Sequence, residues 1–226
     1  MKRILVLSPH ADDELLGCGG TLLKLKQQKD INIQLVLMSC FTSFMNHLQC
    51  EVTADERYRE FIECSSYIST EKPIYLFPKR LEDVSSSKII TEIDYVIRYF
   101  KPTTIFIPEP SYHQDHQITY KCGIASCRPT FGHQSIKDIY LYEIPTSIWS
   151  GAENIYHPNI YSDITPFVDT KISIFQQIYK SQYSESLREK LSDKGIRSYA
   201  NYRGIESNFD YAETFMLLKS TNHFGD

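Results

Sequence analysis

Short apolar segments alternate with longer amphipathic segments through the first 143 residues of this 226-residue chain. The apolar segments predict buried strands, and the longer ones, in which apolar residues recur at helical spacing, predict helices. Strands that alternate with helices in this way form a parallel sheet whose two faces are covered by helices. We therefore expect an α/β fold with a mostly parallel sheet and helices on both faces.

The predicted elements cover most of the chain. Strands are expected over residues 3–8, 33–39, 74–77, 104–108 and 138–143. Helices are expected over residues 13–29, 53–68, 87–100, 118–127, 168–180 and 184–194. Residues 144–167 are interpreted as a long loop with one short strand at 160–164. No internal repeat or linker divides the chain, so we expect a single domain spanning 1–226.

Composition argues against several classes of partner. The formal net charge is −4 and no long basic run occurs, so we expect neither nucleic acid nor an anionic membrane surface as a partner. No apolar stretch approaches the roughly 20 residues of a membrane span, and the first apolar run is too short for a signal peptide. The six cysteines form no C-x-x-C pair, which favours buried free thiols and a cytoplasmic location. The oligomeric state is left open.

Two short clusters of histidine and acidic residues follow predicted strands. Residues 8–14 read Ser-Pro-His-Ala-Asp-Asp-Glu after the first strand, and residues 113–116 read His-Gln-Asp-His shortly after the fourth. Open α/β sheets bind ligands beyond the carboxyl ends of their strands. We therefore expect the two clusters to meet at that edge of the sheet.

His10, Asp13 and His116 are the candidate metal ligands. A catalytic zinc site needs about three protein ligands and one position open to water. His10 and Asp13 are spaced so that both can reach one metal where a loop enters a helix, and His116 can supply the third ligand. This set suits zinc, although iron or manganese can also bind to it.

Asp12, His113 and Asp115 are the candidate catalytic residues. Asp12 points in a different direction from Asp13 and is free to take a proton from a metal-activated water. His113, when protonated, can stabilise negative charge on a carbonyl oxygen and then protonate a leaving nitrogen. Asp115 can orient a histidine through its second ring nitrogen. Together the two clusters predict a metal-dependent hydrolase.

Gly17, Gly19 and Gly20 lie within the first predicted helix, where each costs roughly 1 kcal/mol relative to alanine. One interpretation is a glycine-rich dinucleotide-binding turn, but these glycines lie well past the turn between strand and helix. We favour close packing of this helix on the sheet or under the metal, with Cys18 packed there as well.

Residues 9–20, Pro-His-x-Asp-Asp-Glu-x-x-Gly-Cys-Gly-Gly, resemble the signature of the PIG-L/LmbE-like N-deacetylases, and residues 113–116 resemble their second motif. The resemblance implies a Rossmann-like α/β fold and a zinc site that removes N-acetyl groups, mostly from glucosamine-containing substrates. It implies the same roles for the six candidate residues, with Asp115 tuning His113. The expected partner is a small N-acetylated amino sugar, free or joined to a nucleotide or another carrier.

The resemblance also implies that Arg57, Arg80 and Arg203 contact the substrate. For Arg57 the alternative is an exposed ion pair with Glu60 on the same helix. Residues 40–45 depart from the family, because they are bulky and aromatic where glycines are common. We therefore expect a substrate pocket of different shape.

Two other functions stay open. The site can act on a different N-acyl group or on a thiol-conjugated amino sugar, as the altered segment 40–45 indicates. The chain can also be a sugar- or nucleotide-binding module without catalysis, although the complete ligand set and Asp12 argue against this.

Overall fold

The structure is a computed structural model that describes residues 2–45, 49–130, 132–145, 156–182 and 191–221. The strands are β1 (Lys2–Ser8), β2 (Ile31–Ser39), β3 (Ser43–Met45), β4 (Cys50–Val52), β5 (Ile74–Phe77), β6 (Thr104–Pro108), β7 (Asp138–Tyr142), β8 (Ile160–Asp163) and β9 (Ala212–Ser220). The helices are α1 (Asp13–Lys26), α2 (Ala54–Ile68), α3 (Ser86–Phe100), α4 (Gln114–Ser126), α5 (Val168–Ile178) and α6 (Asp193–Ile205).

One sheet contains seven of these strands in the order β5-β2-β1-β6-β7-β9-β8. The first five in this order are parallel, and β9 runs antiparallel to both of its neighbours. The chain leaves β1 for β2 on one side and later returns to β6 on the other side. Such a reversal opens a crevice at the carboxyl ends of β1 and β6. The predicted Rossmann-like α/β fold with a mostly parallel sheet is confirmed.

Alternate side chains of β1 enter two separate cores. Ile4 and Val6 belong to the core that includes residues of α1, α2, α5 and α6. Leu5 and Leu7 belong to the core that includes residues of α3 and α4. All four side chains are almost completely buried. Because successive side chains of a strand point to opposite faces, a strand this apolar needs helices on both faces of the sheet, and the fold provides them.

The glycines of α1 allow the helix to approach the sheet closely. A Cβ atom added at Gly17 would lie 2.3 Å from the Tyr142 ring and 2.9 Å from the carbonyl oxygen of Glu143. A Cβ atom added at Gly20 would lie 2.7 Å from the Ile164 side chain. The predicted packing role is therefore confirmed at Gly17 and Gly20.

A buried ion pair also holds α1 in place. The Lys171 ammonium, on α5, donates to Glu213 on β9 and to the main-chain carbonyl of Leu16, both at 2.7 Å. The Glu213 carboxylate in turn accepts from the main-chain N–H groups of Gly20 and Thr21. These contacts tie α1, whose first residues carry half of the candidate site, to the second half of the chain.

The second half of the chain differs most from the prediction. β9 was not predicted, because Glu213 interrupts its apolar pattern, yet this carboxylate is buried through its pair with Lys171. The helix expected over 184–194 falls mostly outside the described residues. The helix found there, α6, begins at Asp193, with the Ser192 side chain capping it.

The segment after β2 forms a short antiparallel hairpin, β3–β4, that was not predicted. All six cysteines are free, and Cys50 is the one that is exposed, since it lies on this hairpin. The prediction of buried thiols is therefore wrong at Cys50. Within the described residues, no helix is both long and apolar enough to cross a membrane.

Candidate metal centre and active site

The two candidate clusters meet at the carboxyl edge of the sheet. The first lies between β1 and α1, and the second lies between β6 and the start of α4, with β1 and β6 adjacent and parallel. α4 begins at Gln114, several residues earlier than predicted, because the ring of His113 caps it and accepts from the N–H of Asp115. Asp115 and His116 therefore lie in the first turn of a helix, which fixes their directions.

His10, Asp13 and His116 converge on one point. The Oδ2 atom of Asp13 lies 3.3 Å from Nδ1 of His10 and 3.3 Å from Nε2 of His116. Ligand atoms arranged tetrahedrally around one zinc ion, each at about 2.0–2.1 Å from it, are about 3.3 Å apart. The three side chains thus fit a divalent metal ion, and both ligand types suit zinc.

Both candidate histidine ligands have a hydrogen-bond partner at the ring nitrogen that faces away from Asp13. Asp115 Oδ2 lies 3.0 Å from Nε2 of His10, and Ser111 Oγ lies 2.8 Å from Nδ1 of His116. The other oxygen of Asp115 accepts from the main-chain N–H of Leu81 at 3.2 Å. Contacts of this kind fix the ring orientation and the tautomer of a metal-binding histidine. The carboxylate of Asp115 therefore contacts His10, whereas the main-chain N–H of Asp115 contacts His113.

The imidazoles of His10, His113 and His116 form a second possible set, with ligand atoms within 4.8 Å of one another. Nδ1 of His113 already accepts the helix-capping hydrogen bond. Asp13, in contrast, is only 4% exposed and directs one oxygen at both other ligands. We therefore regard Asp13 as the better third ligand.

The charged side chains of the cluster shift one another's pKa values. Burial alone would lower the pKa of His10, but its hydrogen bonds to Asp115 and Asp13 outweigh burial and raise it to about 9. Burial would also raise the pKa of Asp13, but the neighbouring imidazoles of His116 and His10 hold it well below its usual range. Without a metal ion, these contacts therefore favour a protonated His10 between the Asp13 and Asp115 carboxylates.

Asp12 has an unusual backbone conformation. Its φ is 112°, a backbone conformation that residues other than glycine rarely adopt. Asp12 stands at the start of α1, and its side chain makes no capping hydrogen bond there. Its carbonyl accepts from the N–H groups of Leu15 and Leu16, so the helix begins there without a capping bond from the Asp12 carboxylate. Burial, together with the charges of Asp13 and Glu14, raises the pKa of Asp12 well above its usual range.

His113 lies beside His10 with a ring-centroid distance of 4.6 Å. Burial, with the neighbouring His10 and His116 imidazoles, lowers the pKa of His113 to about 4. Its Nδ1 accepts from the N–H of Asp115, so in the neutral ring Nε2 carries the proton. The structure thus favours a neutral hydrogen-bond donor at His113 over the protonated form that we considered from the sequence.

Arg57 is buried, with 7% of the residue exposed, and its charge acts on Asp12. Its Nε atom is buried without a hydrogen-bond partner within the described residues. Glu60, the alternative partner, instead accepts from the N–H of Ser181 at 2.8 Å. The interpretation of Arg57 as an exposed helix ion pair is therefore wrong, because the side chain lies in the interior.

The other two arginines differ from Arg57. The Arg80 side chain is 59% exposed, pairs with Glu82 at 3.2 Å, and lies 5.6 Å from the ring centroid of Phe41. Arg203 is held by the Glu143 carboxylate through two hydrogen bonds, at 2.8 and 2.6 Å, and by a third carboxylate contact to Glu206. Arg80 borders the site through its neighbour in sequence, the Leu81 that binds Asp115, whereas the donors of Arg203 are engaged by protein carboxylates.

Sequence reasoning missed several polar residues around the site. Ser111 orients His116, and the fully buried Glu14 accepts hydrogen bonds from Ser8, Asp12 and Tyr179. Glu14 is part of the first cluster, so its position in the sequence already indicated that it lies near the site. Ser111 had only its position two residues before His113 to mark it, and nothing local marks Tyr179, the residue that follows α5.

The α/β fold thus places a cluster of histidines and carboxylates at the crevice between β1 and β6. A model of the GlcNAc-PI de-N-acetylase family, PIG-L, matches residues 5–127, which include both clusters. The chain belongs to this family.

Known proteins related to the chain include deacetylases. Diacetylchitobiose deacetylase of Thermococcus kodakarensis is 27% identical over 226 residues, covering 94% of this chain and 82% of the relative. The structure of N,N'-diacetylchitobiose deacetylase from Pyrococcus horikoshii matches with a TM-score of 0.78 and 23% identity, over 96% of this chain and 84% of that one.

The fold is also shared with an enzyme of another class. GalB, the 4-carboxy-2-hydroxymuconate hydratase of Pseudomonas putida, matches with a TM-score of 0.74 at 17% identity over 100% of both chains. At such identities a structural likeness establishes the fold alone. The reaction must therefore be argued from the site.

Proposed function

We propose that this protein is a metal-dependent hydrolase that removes the N-acetyl group from an amino sugar and releases acetate and a free amine. The observation that carries the proposal is the position of Asp13 Oδ2, 3.3 Å from the nearest ring nitrogen of both His10 and His116, directly beside Asp12. Membership of a de-N-acetylase family adds support. Zinc is the expected ion, with iron or manganese as alternatives.

The bound metal, held by His10, Asp13 and His116, would activate water and polarise the amide carbonyl. Asp12 accepts the proton of the attacking water. Its carboxylate is free of capping bonds, and its pKa is raised, which makes it a stronger base than an ordinary aspartate. The same group can return this proton to the leaving nitrogen, which completes hydrolysis without a second acid.

His113 stabilises the negative charge that develops on the amide oxygen. Its Nε2–H, in the tautomer fixed by the capping bond at Nδ1, is a donor that needs no proton uptake. Asp115 fixes the ring of His10 and the start of α4 at once, since it contacts His10 with its side chain and His113 with its main chain. It therefore supports both the metal ligand and the donor.

Arg57 is the favoured substrate contact of the three arginines. A buried guanidinium with an unpartnered Nε gains a strong hydrogen bond when a hydroxyl or other oxygen of the substrate reaches it. Arg80 is a candidate for a more distant part of the substrate, since it is exposed at the edge of the site. For Arg203 a direct contact requires that one of its carboxylate partners gives way, so we assign it a supporting role.

The test is amine release by the zinc-loaded protein from N-acetylglucosamine, diacetylchitobiose and nucleotide-linked N-acetylglucosamine. We expect release of acetate and amine in equal amounts from at least one of them. Release from none, by protein that retains zinc, would contradict the proposal.

A second candidate keeps the reaction but changes the acyl group or its conjugate. It is favoured by the β3–β4 hairpin, which carries an exposed Phe44, 59% accessible, where family members commonly have glycines. N-butyryl and N-acetyl derivatives of the same sugar separate the two candidates. Faster turnover of the longer acyl group would favour the second.

A further inference from the structure

We propose that Tyr179 is a positioning residue for Asp12 and that it acts through the buried carboxylate of Glu14. Tyr179 lies beyond residues 5–127, the part of the chain that matches the family, and it was not among the expected site residues. The inference rests on the proposed function, because it assigns Tyr179 a part in holding the catalytic base.

Glu14 is fully buried and each of its oxygens has a donor. Oε2 accepts from the Ser8 hydroxyl at 2.8 Å and from the main-chain N–H of Asp12 at 3.2 Å. Oε1 accepts from the hydroxyl of Tyr179. The carboxylate therefore connects the end of β1, the main chain of Asp12 and the region just after α5.

The hydrogen bond to Asp12 matters because of the backbone conformation of this residue. A φ of 112° at a residue other than glycine is strained and persists only when neighbouring contacts hold it. Asp12 has no side-chain capping bond, so its own side chain does not stabilise this conformation. Its N–H bond to Glu14 holds this conformation from one side, and the bonds that its carbonyl accepts from Leu15 and Leu16 hold it from the other.

Tyr179 controls how Glu14 is oriented. Its ring is completely buried and lies 5.7 Å from that of Phe175 on α5, so the hydroxyl has a fixed position. Without that hydroxyl, the buried Glu14 carboxylate would lose a strong donor, and the Cys64 thiol, which also hydrogen-bonds to Glu14, is a much weaker one. The carboxylate would then shift toward other donors, and its bond to the Asp12 N–H would weaken.

The decisive variant is Tyr179→Phe, which removes one hydroxyl and keeps the ring. We expect kcat to fall about tenfold, as displaced catalytic groups do, with KM and zinc content unchanged. Tyr142→Phe is the matched control. Tyr142 is equally buried, but its hydroxyl donates to the main-chain carbonyl of Leu7 at 2.8 Å and not to Glu14. We expect this control to keep kcat within about twofold of wild type.

A second variant tests the route through Glu14. Glu14→Gln should lower kcat by a similar factor, and the double variant with Tyr179→Phe should be no worse than either single one, because both act on one contact. Fully additive losses would show that Tyr179 acts by another route and would overturn the proposal. If Glu14→Gln proves unstable, Tyr179→Phe compared with its Tyr142→Phe control still decides the question.

Hydrogen exchange gives a readout that does not depend on activity. In Tyr179→Phe we expect amides of residues 10–14 to exchange about tenfold faster than in wild type, and in Tyr142→Phe we expect no change there. Unchanged protection together with unchanged kcat would refute the positioning role. If wild type released no amine from any substrate, the proposed function would fail, while the exchange result would still decide whether Tyr179 holds Asp12.

Discussion

The carboxylate of Asp115 lies 3.0 Å from Nε2 of His10, although the two residues are 105 positions apart in the chain. This contact joins the cluster after β1 to the cluster after β6. It leaves Nδ1 of His10 facing Asp13, so the same contact that unites the clusters also aims the ring at the metal position. The centre is therefore assembled by the fold and not by either motif alone.

Asp115→Asn should weaken metal binding without removing any ligand. Loss of the charged partner of His10 is expected to lower zinc affinity about 10–100-fold, while the Asn carbonyl can still accept from Leu81. Competition with a chromophoric chelator measures this. Asp83→Asn, at an exposed carboxylate on the same short 3-10 helix as Leu81, is the control and should bind zinc like wild type. Equal affinity in both variants would rule out the orienting role.

His116→Ala and His113→Ala distinguish the two possible ligand sets. We expect His116→Ala to lose zinc, because Nε2 of His116 is a ligand atom in the proposed site. His113→Ala should retain zinc but lose about 10²–10³-fold in kcat, since only the oxyanion donor is missing. Zinc content after dialysis and kcat are the measurements. Loss of zinc from His113→Ala would instead favour the three-histidine set.

Asp12→Asn should separate metal binding from catalysis. The amide has nearly the same shape but cannot accept a proton as a carboxylate does, so turnover is expected to fall about 10²–10⁴-fold. Zinc content should stay near wild type, because Asp12 is not among the ligands. Turnover close to that of wild type would mean that another group is the base.

The prediction from sequence was accurate where local pattern and tertiary structure agree. The apolar runs of β1 and β6 are buried on both faces, so their pattern is unambiguous, and the two clusters that follow them meet as expected. β9 was missed because Glu213 looks like a surface residue until Lys171, 42 positions away, is brought to it by the fold. The contact of Tyr179 with Glu14 and the backbone conformation of Asp12 could not be predicted for the same reason, because both depend on contacts that only the fold creates.

Glu109→Gln should change how stability depends on pH. Glu109 is completely buried, and neither carboxylate oxygen has a hydrogen-bond partner within the described residues. Burial, together with the Glu143 charge, raises its pKa from the ordinary 4.5 to about 8. Between these values the folded protein keeps a proton that the unfolded chain has lost, so this group lowers stability as pH rises through that window.

The neutral amide of Glu109→Gln does not titrate, so it removes this pH-dependent loss of stability. Relative to wild type, the variant should therefore gain at least about 1.4 kcal/mol, the equivalent of one pKa unit, between about pH 5 and pH 9. Glu14, whose pKa is raised to about 7 mainly by burial, contributes the same slope in both proteins and cancels. Urea unfolding of the metal-stripped proteins measures the difference. A constant difference across the pH range would show that Glu109 ionises normally.

The central claim is that a metal ion held by His10, Asp13 and His116 drives amide hydrolysis. The most direct test is a titration of metal-stripped protein with zinc, followed by amine release from diacetylchitobiose and from N-acetylglucosamine. The account predicts no release without metal and a rise in activity that levels off near one zinc per chain. Full activity in the stripped protein, or zinc binding at one per chain with no release from either sugar, would contradict it.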